Sequence, residues 1–256
     1  MKIVTWNVNS IRQRESHVLS FLAREQPDVL CLQEIKCETG QFPAAAFRDA
    51  GYEAVVVGQK AYNGVAILAR VPFTATAHQL PPLEDATPQA RYVEIEVAGL
   101  RVGNLYLPNG NSNGDAGYAA KLAFMDALAE HARSLLETDT DFVLTGDYNV
   151  CPTDEDLAPG ALPASDALVR PQTRAAFRRL IWLGLTDALR ALHPTGAAYT
   201  FWDYQAGAWP RNIGLRIDHA LLSPRLAERL VSCEIARDER GETQPSDHVP
   251  LAITLA

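Results

Sequence analysis

The chain has 256 residues, of which 47% are hydrophobic, so it can bury a large core. Its formal net charge of −8 argues against nonspecific adhesion to polyanions. No apolar run approaches the length of a membrane span, which is about 18 residues. No Pro/Gly/Ser-rich linker divides the chain, and no basic, apolar leader opens it. We therefore expect one α/β domain over residues 1–256, soluble and cytoplasmic, with its 4 cysteines reduced.

Short apolar runs alternate along the chain with segments of helical periodicity. In chain order these patterns predict a strand at 3–6, a helix at 17–24, strands at 29–32, 55–57, 65–68, 93–97 and 102–107, a helix at 121–136, a strand at 142–145, a helix at 174–183, a strand at 217–222, a short helix with Ser223 as its N-cap, and a strand at 249–255. Nine strands with helices between only some of them predict two sheets covered by helices.

Acidic and amide side chains and one imidazole gather where these strands end or begin. They are Asn7, Gln33, Glu34, Asp147, Asn149, Asp218, Asp247 and His248. Residues i and i+2 of an extended chain share a face, so Asp147 and Asn149 are expected to point to one spot, with Tyr148 directed away. By the same rule only one of Asp218 and His219 can reach such a site, and we predict Asp218. The placement predicts a site built on the rim of a sheet.

Carboxylates and amides without a cluster of thiolates form a hard, oxygen-rich site of the kind that binds Mg²⁺ or Mn²⁺. A histidine next to an acid, as in Asp247 and His248, can orient or deprotonate water for attack on phosphorus. Phosphodiester hydrolysis is the reaction that this set of side chains favours. A locally basic face can still meet a phosphate backbone, and the candidates for it are Arg12, Arg14, Arg174, Arg178, Arg179, Arg211 and Arg216.

Seven motifs follow one another along the chain: WNVNSIR, LQEIK, YLPNGN, GDYNVCPTDED, YTFWDY, GLRIDH and SDHVPL. In this order they resemble the exonuclease III family of abasic-site DNA repair endonucleases, within the endonuclease, exonuclease and phosphatase superfamily. The resemblance covers nearly the whole chain. It implies a four-layer α/β sandwich, in which two mostly antiparallel β-sheets pack face to face with helices on the outside and the catalytic residues lie at one edge.

The resemblance also implies which residues bind the metal and the water. Glu34 is expected to be the principal metal ligand, with Asn7 and Asp247 beside it, and the metal is expected to be Mg²⁺, with Mn²⁺ as an alternative. Asp147 would orient or deprotonate the attacking water. The resemblance leaves open whether Asp147, His248 or a tyrosinate is the general base.

Further matches concern the phosphate. Asn149 would help to hold the water and the phosphate, and His248 would contact the scissile phosphate. Asp218 would fix the tautomer of His248 and support its charge. Tyr106 matches the phosphate-side tyrosine of the family.

The resemblance extends to the DNA. In the family, the sugar that lacks a base is turned out of the duplex into a small apolar pocket, and the matching positions here are Phe201, Leu215 and Ile217. Some members have tryptophan where this chain has Leu215. Contacts to the DNA backbone are predicted for Lys36, Arg70, Arg91, Arg216 and Trp209.

Together these features predict a metal-dependent DNA phosphodiesterase that incises 5′ of abasic sites, with 3′–5′ exonuclease or 3′ end-trimming activity in addition. Its partner would be double-stranded DNA with abasic sites or 3′ ends; no membrane is involved, and we expect a monomer. Two alternatives stay open. One is a superfamily relative that hydrolyses RNA, an inositol phosphate or a lipid, and the other is a DNA-binding module without catalysis.

Overall fold

Two sheets and the helices on their outer faces make up the part of the chain that the computed structural model describes, residues 1–81, 83 and 89–256. The strands are β1 (Lys2–Asn7), β2 (Val29–Gln33), β3 (Glu53–Val57), β4 (Val65–Ala69), β5 (Phe73–Ala77), β6 (Tyr92–Val97), β7 (Leu100–Tyr106), β8 (Phe142–Asp147), β9 (Thr186–Asp187), β10 (Asp218–Leu222), β11 (Leu230–Ile235) and β12 (Leu251–Leu255). The helices are α1 (Ile11–Glu25), α2 (Ala44–Asp49), α3 (Gly114–Glu137), α4 (Pro171–Trp182), α5 (Ala188–Leu192) and α6 (Pro224–Ala227). Among the described residues, none of the helices has both the length and the apolar character of a membrane span.

The alternation of side chains along the central strands creates the layers. In β2, Val29 and Cys31 belong to the core between the two sheets, whereas Leu30 and Leu32 belong to the core that includes residues of α1 and α2. In β8 of the second sheet, Val143 faces the first sheet, and its neighbour Leu144 packs with residues of α3 and α4. The result is helix, sheet, sheet and helix in succession, which confirms the predicted four-layer sandwich.

Each sheet is antiparallel apart from one parallel pair near its middle. The first sheet has the order β11-β12-β1-β2-β4-β3 with β1 parallel to β2, and the second has the order β5-β6-β7-β8-β10-β9 with β7 parallel to β8. Parallel strands end at the same edge of their sheet. Because β1 lies against β8, the ends of all four strands meet at one rim of the sandwich.

The predicted strands are all present, with bounds that differ by up to two residues. The three strands that the pattern did not predict, β5, β9 and β11, all lie at sheet edges, where side chains that face solvent weaken the apolar pattern. The short helices α2 and α5 also escaped prediction. Ser223 is the N-cap residue of α6, as predicted, but its hydroxyl accepts the N–H of Phe142 at 3.1 Å and not an N–H of the helix.

Candidate active site

The predicted site residues meet at the rim where the parallel pairs end. Asn7 pairs with Gln33 at the ends of β1 and β2, and Tyr106 pairs with Asp147 at the ends of β7 and β8. Glu34 follows β2 with φ of 49°, in the left-handed region, and the chain turns there. The Asn7 amide donates to Oε1 of Glu34 at 2.9 Å and to Oδ2 of Asp147 at 2.9 Å, so it joins the two sheets across the rim.

Asp147 is buried beneath the rim, and both of its oxygens have a defined donor. Oδ1 accepts the N–H of Asn149 at 2.9 Å, and Oδ2 accepts the Asn7 amide. Burial raises the pKa of Asp147, the imidazole of His248 lowers it, and the carboxylate of Asp218 raises it again, to about 7. A carboxylate with a pKa near neutrality is well matched to taking a proton from water.

His248 is held between two aspartates. Its Nδ1 lies 2.9 Å from Oδ2 of Asp218, and its Nε2 lies 3.8 Å from Oδ2 of Asp147. Because a carboxylate can only accept a hydrogen bond, Nδ1 carries the hydrogen and donates it to Asp218. Burial lowers the pKa of His248, but Asp218 and Asp147 raise it more strongly, to about 10. The imidazole is therefore cationic at neutral pH, a form that binds phosphate and does not take a proton.

Three side chains surround a possible metal position, and the two carboxylates among them can be ligands, whereas the cationic imidazole of His248 has no free lone pair. One carboxylate oxygen of Glu34, one of Asp147 and a ring nitrogen of His248 lie within 4.8 Å of one another. Burial raises the pKa of Glu34, but the ammonium of Lys36 and the amide of Asn7 lower it more, so this carboxylate is ionised at neutral pH. Two carboxylates at this spacing provide the oxygen donors that a hard divalent cation requires.

Asn7 contacts two members of this group and Asp247 lines the same cavity as its three members, and the role of both as metal ligands stays a prediction. Asp247 lies outside the three-residue group, and its Oδ1 accepts the amide of Asn9 at 3.1 Å. Asn7 presents its nitrogen to the carboxylates, because its Oδ1 accepts the N–H of Asn9 at 3.0 Å. Lys36 contacts Oδ1 of Asn9 and Oε2 of Glu34, the latter at 2.9 Å. In this arrangement Asn9 is the link between Asp247 and the carboxylates.

Tyr106 is packed between a cation and the acidic group. The guanidinium of Arg91 lies 4.7 Å from the centroid of its ring. Burial raises the pKa of Tyr106, and the carboxylates of Glu34 and Asp147 raise it further, well above its ordinary value. The phenol is therefore protonated at neutral pH and is a hydrogen-bond donor.

An apolar wall lies beside the carboxylates in the same cavity, whose volume is about 240 Å³. It consists of Leu162, Leu168, Phe201, Leu215 and Ile217. Phe201 and Leu215 exchange backbone hydrogen bonds, both of 2.9 Å, and the ring of Phe201 lies 4.9 Å from that of His248. The three apolar residues predicted for the pocket thus lie next to the acid and imidazole groups.

Of the side chains predicted to meet the DNA backbone, Lys36 and Arg91 lie at the rim. Arg70 does not, since it lies at the opposite end of the first sheet, and its contact with DNA stays a prediction. Its N–H donates to the carbonyl of Asp28 at 3.1 Å, and its guanidinium pairs with the Asp28 carboxylate at 2.9 Å, just before β2 begins. Glu34 follows the other end of β2, roughly 20 Å away at about 3.3 Å per residue.

Arg216, by contrast, is predicted wrongly, because it is buried. It is 1% exposed, and its guanidinium pairs with Asp156 at 2.7 Å and with Asp187 at 2.8 Å. These two carboxylates engage the guanidinium N–H groups of Arg216 that a DNA phosphate would need. Trp209 is partly exposed and packs edge-on against Trp202 with ring centroids 4.9 Å apart; its contact with DNA stays a prediction.

His219 completes the buried cluster around Arg216 and points away from the cavity. Nδ1 accepts from Nη1 of Arg216 at 3.0 Å, and Nε2 donates to the carbonyl of Val150 at 2.9 Å. Burial lowers the pKa of His219, and the charge of Arg216 lowers it further, to about 4. The imidazole is therefore neutral in the folded protein.

We expect acid to weaken the fold through His219. An unfolded chain protonates a histidine near pH 6.5 and the folded protein only near pH 4, so the unfolded state binds more protons between these values. The free energy of unfolding then falls as the pH decreases through this window, by up to about 3 kcal/mol. The variant His219→Gln retains a donor for Val150 and should lose this component. Urea unfolding at pH 6.5 and at pH 4 measures the free energy of unfolding of each protein. If this free energy falls equally in the wild type and in His219→Gln between the two pH values, the assignment to His219 is contradicted.

Sequence reasoning missed several residues that the structure brings to the site. Asn109 donates to Oδ1 of Asn149 at 3.0 Å, and Asn9 contacts Lys36 and Asp247. For Asn9 and Asn109 a signal was present, because both stand in polar stretches directly after a strand. Leu162 and Leu168 carried no such signal, since nothing local distinguishes them from core residues. Lys121 of α3 carried none either, because a helical lysine is normally exposed.

The sequence matches the Endonuclease/Exonuclease/phosphatase family over residues 4–248. Among curated relatives, exodeoxyribonuclease III of Haemophilus influenzae is 34% identical, over 98% of this chain and 98% of that protein. Among solved structures, the 3′ phosphatase NExo from Neisseria, bound to a product DNA hairpin, is 40% identical with a TM-score of 0.94, covering 100% of this chain and 99% of that one. An AP endonuclease from Archaeoglobus fulgidus is 35% identical with a TM-score of 0.93, at coverages of 100% and 99%. The chain therefore belongs to the endonuclease/exonuclease/phosphatase family and, within it, to the exonuclease III family.

Proposed function

We propose that this protein is a metal-dependent hydrolase that cleaves the phosphodiester bonds of DNA 5′ of abasic sites and also trims 3′ ends. One observation carries the proposal: Glu34, Asp147 and His248 line the same cavity as a small apolar wall. The polar group fits a phosphate under attack by water, and the apolar wall fits a sugar that has lost its base. Relatives named as an AP endonuclease and as a 3′ phosphatase support both activities.

In this proposal Asp147 takes the proton of the attacking water. Its carboxylate is oriented by the Asn7 amide and the Asn149 N–H, and lone pairs remain free on both oxygens. The other two candidates for the base are held in protonated forms: the imidazole of His248 by its neighbouring carboxylates, and the phenol of Tyr106 by burial beside carboxylates. Both instead donate to phosphate oxygens and stabilise the charge that develops there.

A divalent cation completes the site. Glu34 would hold it, with an oxygen of Asp147 within reach of the same position. The hard oxygen donors favour Mg²⁺, with Mn²⁺ as the alternative. When bound, the cation supplies Lewis-acid stabilisation of charge on the phosphate. It also adds positive charge at the point of DNA contact, which a chain of net charge −8 needs in order to approach a polyanion.

The apolar wall supplies the preference for abasic sites. A sugar without a base is turned out of the duplex at the smallest energetic cost, because no base has to be unstacked. Phe201 and Leu215 would pack against the sugar, and Phe201 would bring it next to the imidazole of His248. All of these residues come from one chain, so the proposed reaction needs no second copy and we expect the protein to act as a monomer.

The test is cleavage of a duplex that carries one synthetic abasic site, beside intact and nicked duplexes, with Mg²⁺ or with EDTA. We expect incision 5′ of the abasic site with Mg²⁺, slower removal of nucleotides from the 3′ end of the nick, and a loss of about 1000-fold or more in EDTA. Restoring Mg²⁺ in excess of EDTA should restore cleavage.

Two outcomes would overturn the proposal. A protein that binds the duplexes equally well with and without EDTA and never cuts them is a binding module. Faster hydrolysis of RNA, of an inositol phosphate or of a phospholipid than of the abasic duplex would place the substrate in another class.

A further inference from the structure

Lys121 of α3 is buried at the back of the rim and is 0% exposed. Its ammonium donates to three backbone carbonyls, those of Pro108 at 3.3 Å, Asn109 at 3.1 Å and Asn149 at 2.7 Å. An ammonium has three donors, so this set is complete. Within the described residues Lys121 forms no ion pair, so the groups in direct contact with its ammonium are peptide carbonyls.

A cation in this position is expensive for the fold. Burial lowers the pKa of Lys121 to about 7, although the charges of Asp147 and Asp166 act in the opposite direction. An apolar side chain of similar volume would fill the same space without this penalty, because a buried charge loses its hydration. The lysine therefore does something that packing alone does not require.

The three carbonyls belong to two loops, which follow the neighbouring parallel strands β7 and β8. Pro108 and Asn109 follow β7, and Asn149 follows β8. The loops touch through their side chains: Asn109 donates to Oδ1 of Asn149 at 3.0 Å, and Nδ2 of Asn149 donates to the carbonyl of Leu107 at 3.0 Å. Each amide nitrogen carries a second hydrogen, and both residues line the cavity beside Asp147.

The first loop is also packed against the stem of the lysine. Gly110 has φ of +89°, and a Cβ added there would lie 2.7 Å from Cδ of Lys121. The backbone thus approaches the side chain as closely as only glycine permits. Both the stem and the ammonium of Lys121 therefore restrain the loop that carries Asn109.

We propose that Lys121 is a positioning residue, whose ammonium ties the loop after β7 to the loop after β8 and so holds the amides of Asn109 and Asn149 at the spacing that a phosphate requires. This inference rests on the proposed function, because the amides serve a phosphate only if the cavity is a phosphodiesterase site. Lys121 itself contacts no reacting group. It acts through the two asparagines.

The test is a double-mutant cycle on kcat with the abasic duplex. We expect Lys121→Met to lower kcat by about 100-fold with the KM for DNA changed by less than about threefold, since misplacing an orienting group affects the transition state most. In a background that carries both Asn109→Ala and Asn149→Ala the same substitution should lower kcat by less than about threefold, because the groups that Lys121 positions are gone.

A control separates positioning from loss of stability. Glu94→Gln disturbs another buried polar network, in which Glu94 lies 2.7 Å from His131 of α3 on the outer face of the second sheet. It should lower thermal stability but leave kcat unchanged. A second readout is independent of cleavage: the side-chain amide NMR resonances of Asn109 and Asn149 should shift in Lys121→Met and stay in place in Glu94→Gln.

Several results would overturn the proposal. They are a kcat for Lys121→Met within about threefold of wild type, an equal loss of kcat in both backgrounds, or unchanged asparagine resonances. If Lys121→Met does not fold, Lys121→Gln, which retains two donors, enters the same cycle, and failure of both to fold would make Lys121 a purely structural residue. A wild-type protein that cleaves no DNA overturns the proposed function, whereas the resonances still report whether Lys121 holds the asparagines.

Discussion

Replacing Asp147 by asparagine is expected to lower kcat for incision at an abasic site by about 10³-fold, with the Kd for DNA changed by less than about threefold. Asparagine has the size of aspartate, and its oxygen can still accept the N–H of Asn149, but it cannot take a proton from water. The carboxylate is 1% exposed and lies beneath the surface that would meet the DNA backbone. Its replacement should therefore leave the contacts to the backbone intact. Single-turnover cleavage with Mg²⁺ and fluorescence anisotropy without cleavage measure the two quantities.

The same strand offers the control. Asp141 immediately precedes β8, at the end opposite Asp147, where it pairs with Arg225 at 3.0 Å. Asp141→Asn removes one negative charge at the other end of β8, far from the cavity. The kcat of this variant should therefore equal that of the wild type. The assignment of Asp147 as base fails if Asp147→Asn retains more than about a tenth of wild-type turnover, because general-base catalysis contributes at least that much.

The location of this carboxylate was accessible from the sequence because a strand has a simple period. Side chains alternate between the two faces, so an apolar run that ends in Asp147 and Tyr148 must direct them to opposite sides. The hydroxyl of Tyr148 accordingly turns back into the core and donates to the carbonyl of Leu144 at 2.8 Å. Asn149 lines the same cavity, but strand alternation is not the reason. The residue has left the strand, with φ of 49°, and its side chain is held by hydrogen bonds to Asn109 and Leu107 of the neighbouring loop.

The charged residues show where sequence reasoning ends. Nothing next to Arg216 in the chain indicates that it is buried, because its partner Asp156 lies 60 residues earlier. Arg70 was predicted to meet the DNA from its spacing along the chain alone, and the antiparallel pairing of β4 with β2 places it at the far end of the sheet. A charge acquires its role from partners that the topology brings to it, and a single sequence does not show those partners.

Replacing Glu34 by glutamine tests the metal site separately from the base. The amide retains an oxygen that can accept the Asn7 hydrogen bond, but it no longer offers an anionic donor to a cation. The ammonium of Lys36, now 2.9 Å from a carboxylate oxygen, would face a neutral group and leave the site more positive. We expect kcat to fall by about 100-fold or more, because the Lewis-acid stabilisation of the phosphate is lost with the cation.

Metal binding itself gives the sharper readout, since it needs no DNA. A cation that binds only the folded protein stabilises it by RT ln(1 + [L]/Kd), which is about 2.7 kcal/mol at a concentration of 100 times the Kd. Mg²⁺ or Mn²⁺ should therefore raise the unfolding temperature of the wild type and of Glu53→Gln, which alters an exposed carboxylate at the opposite end of the same sheet. Glu34→Gln should show little of this stabilisation. If it responds to the cation as strongly as the wild type does, the metal is held elsewhere and Glu34 is not its ligand.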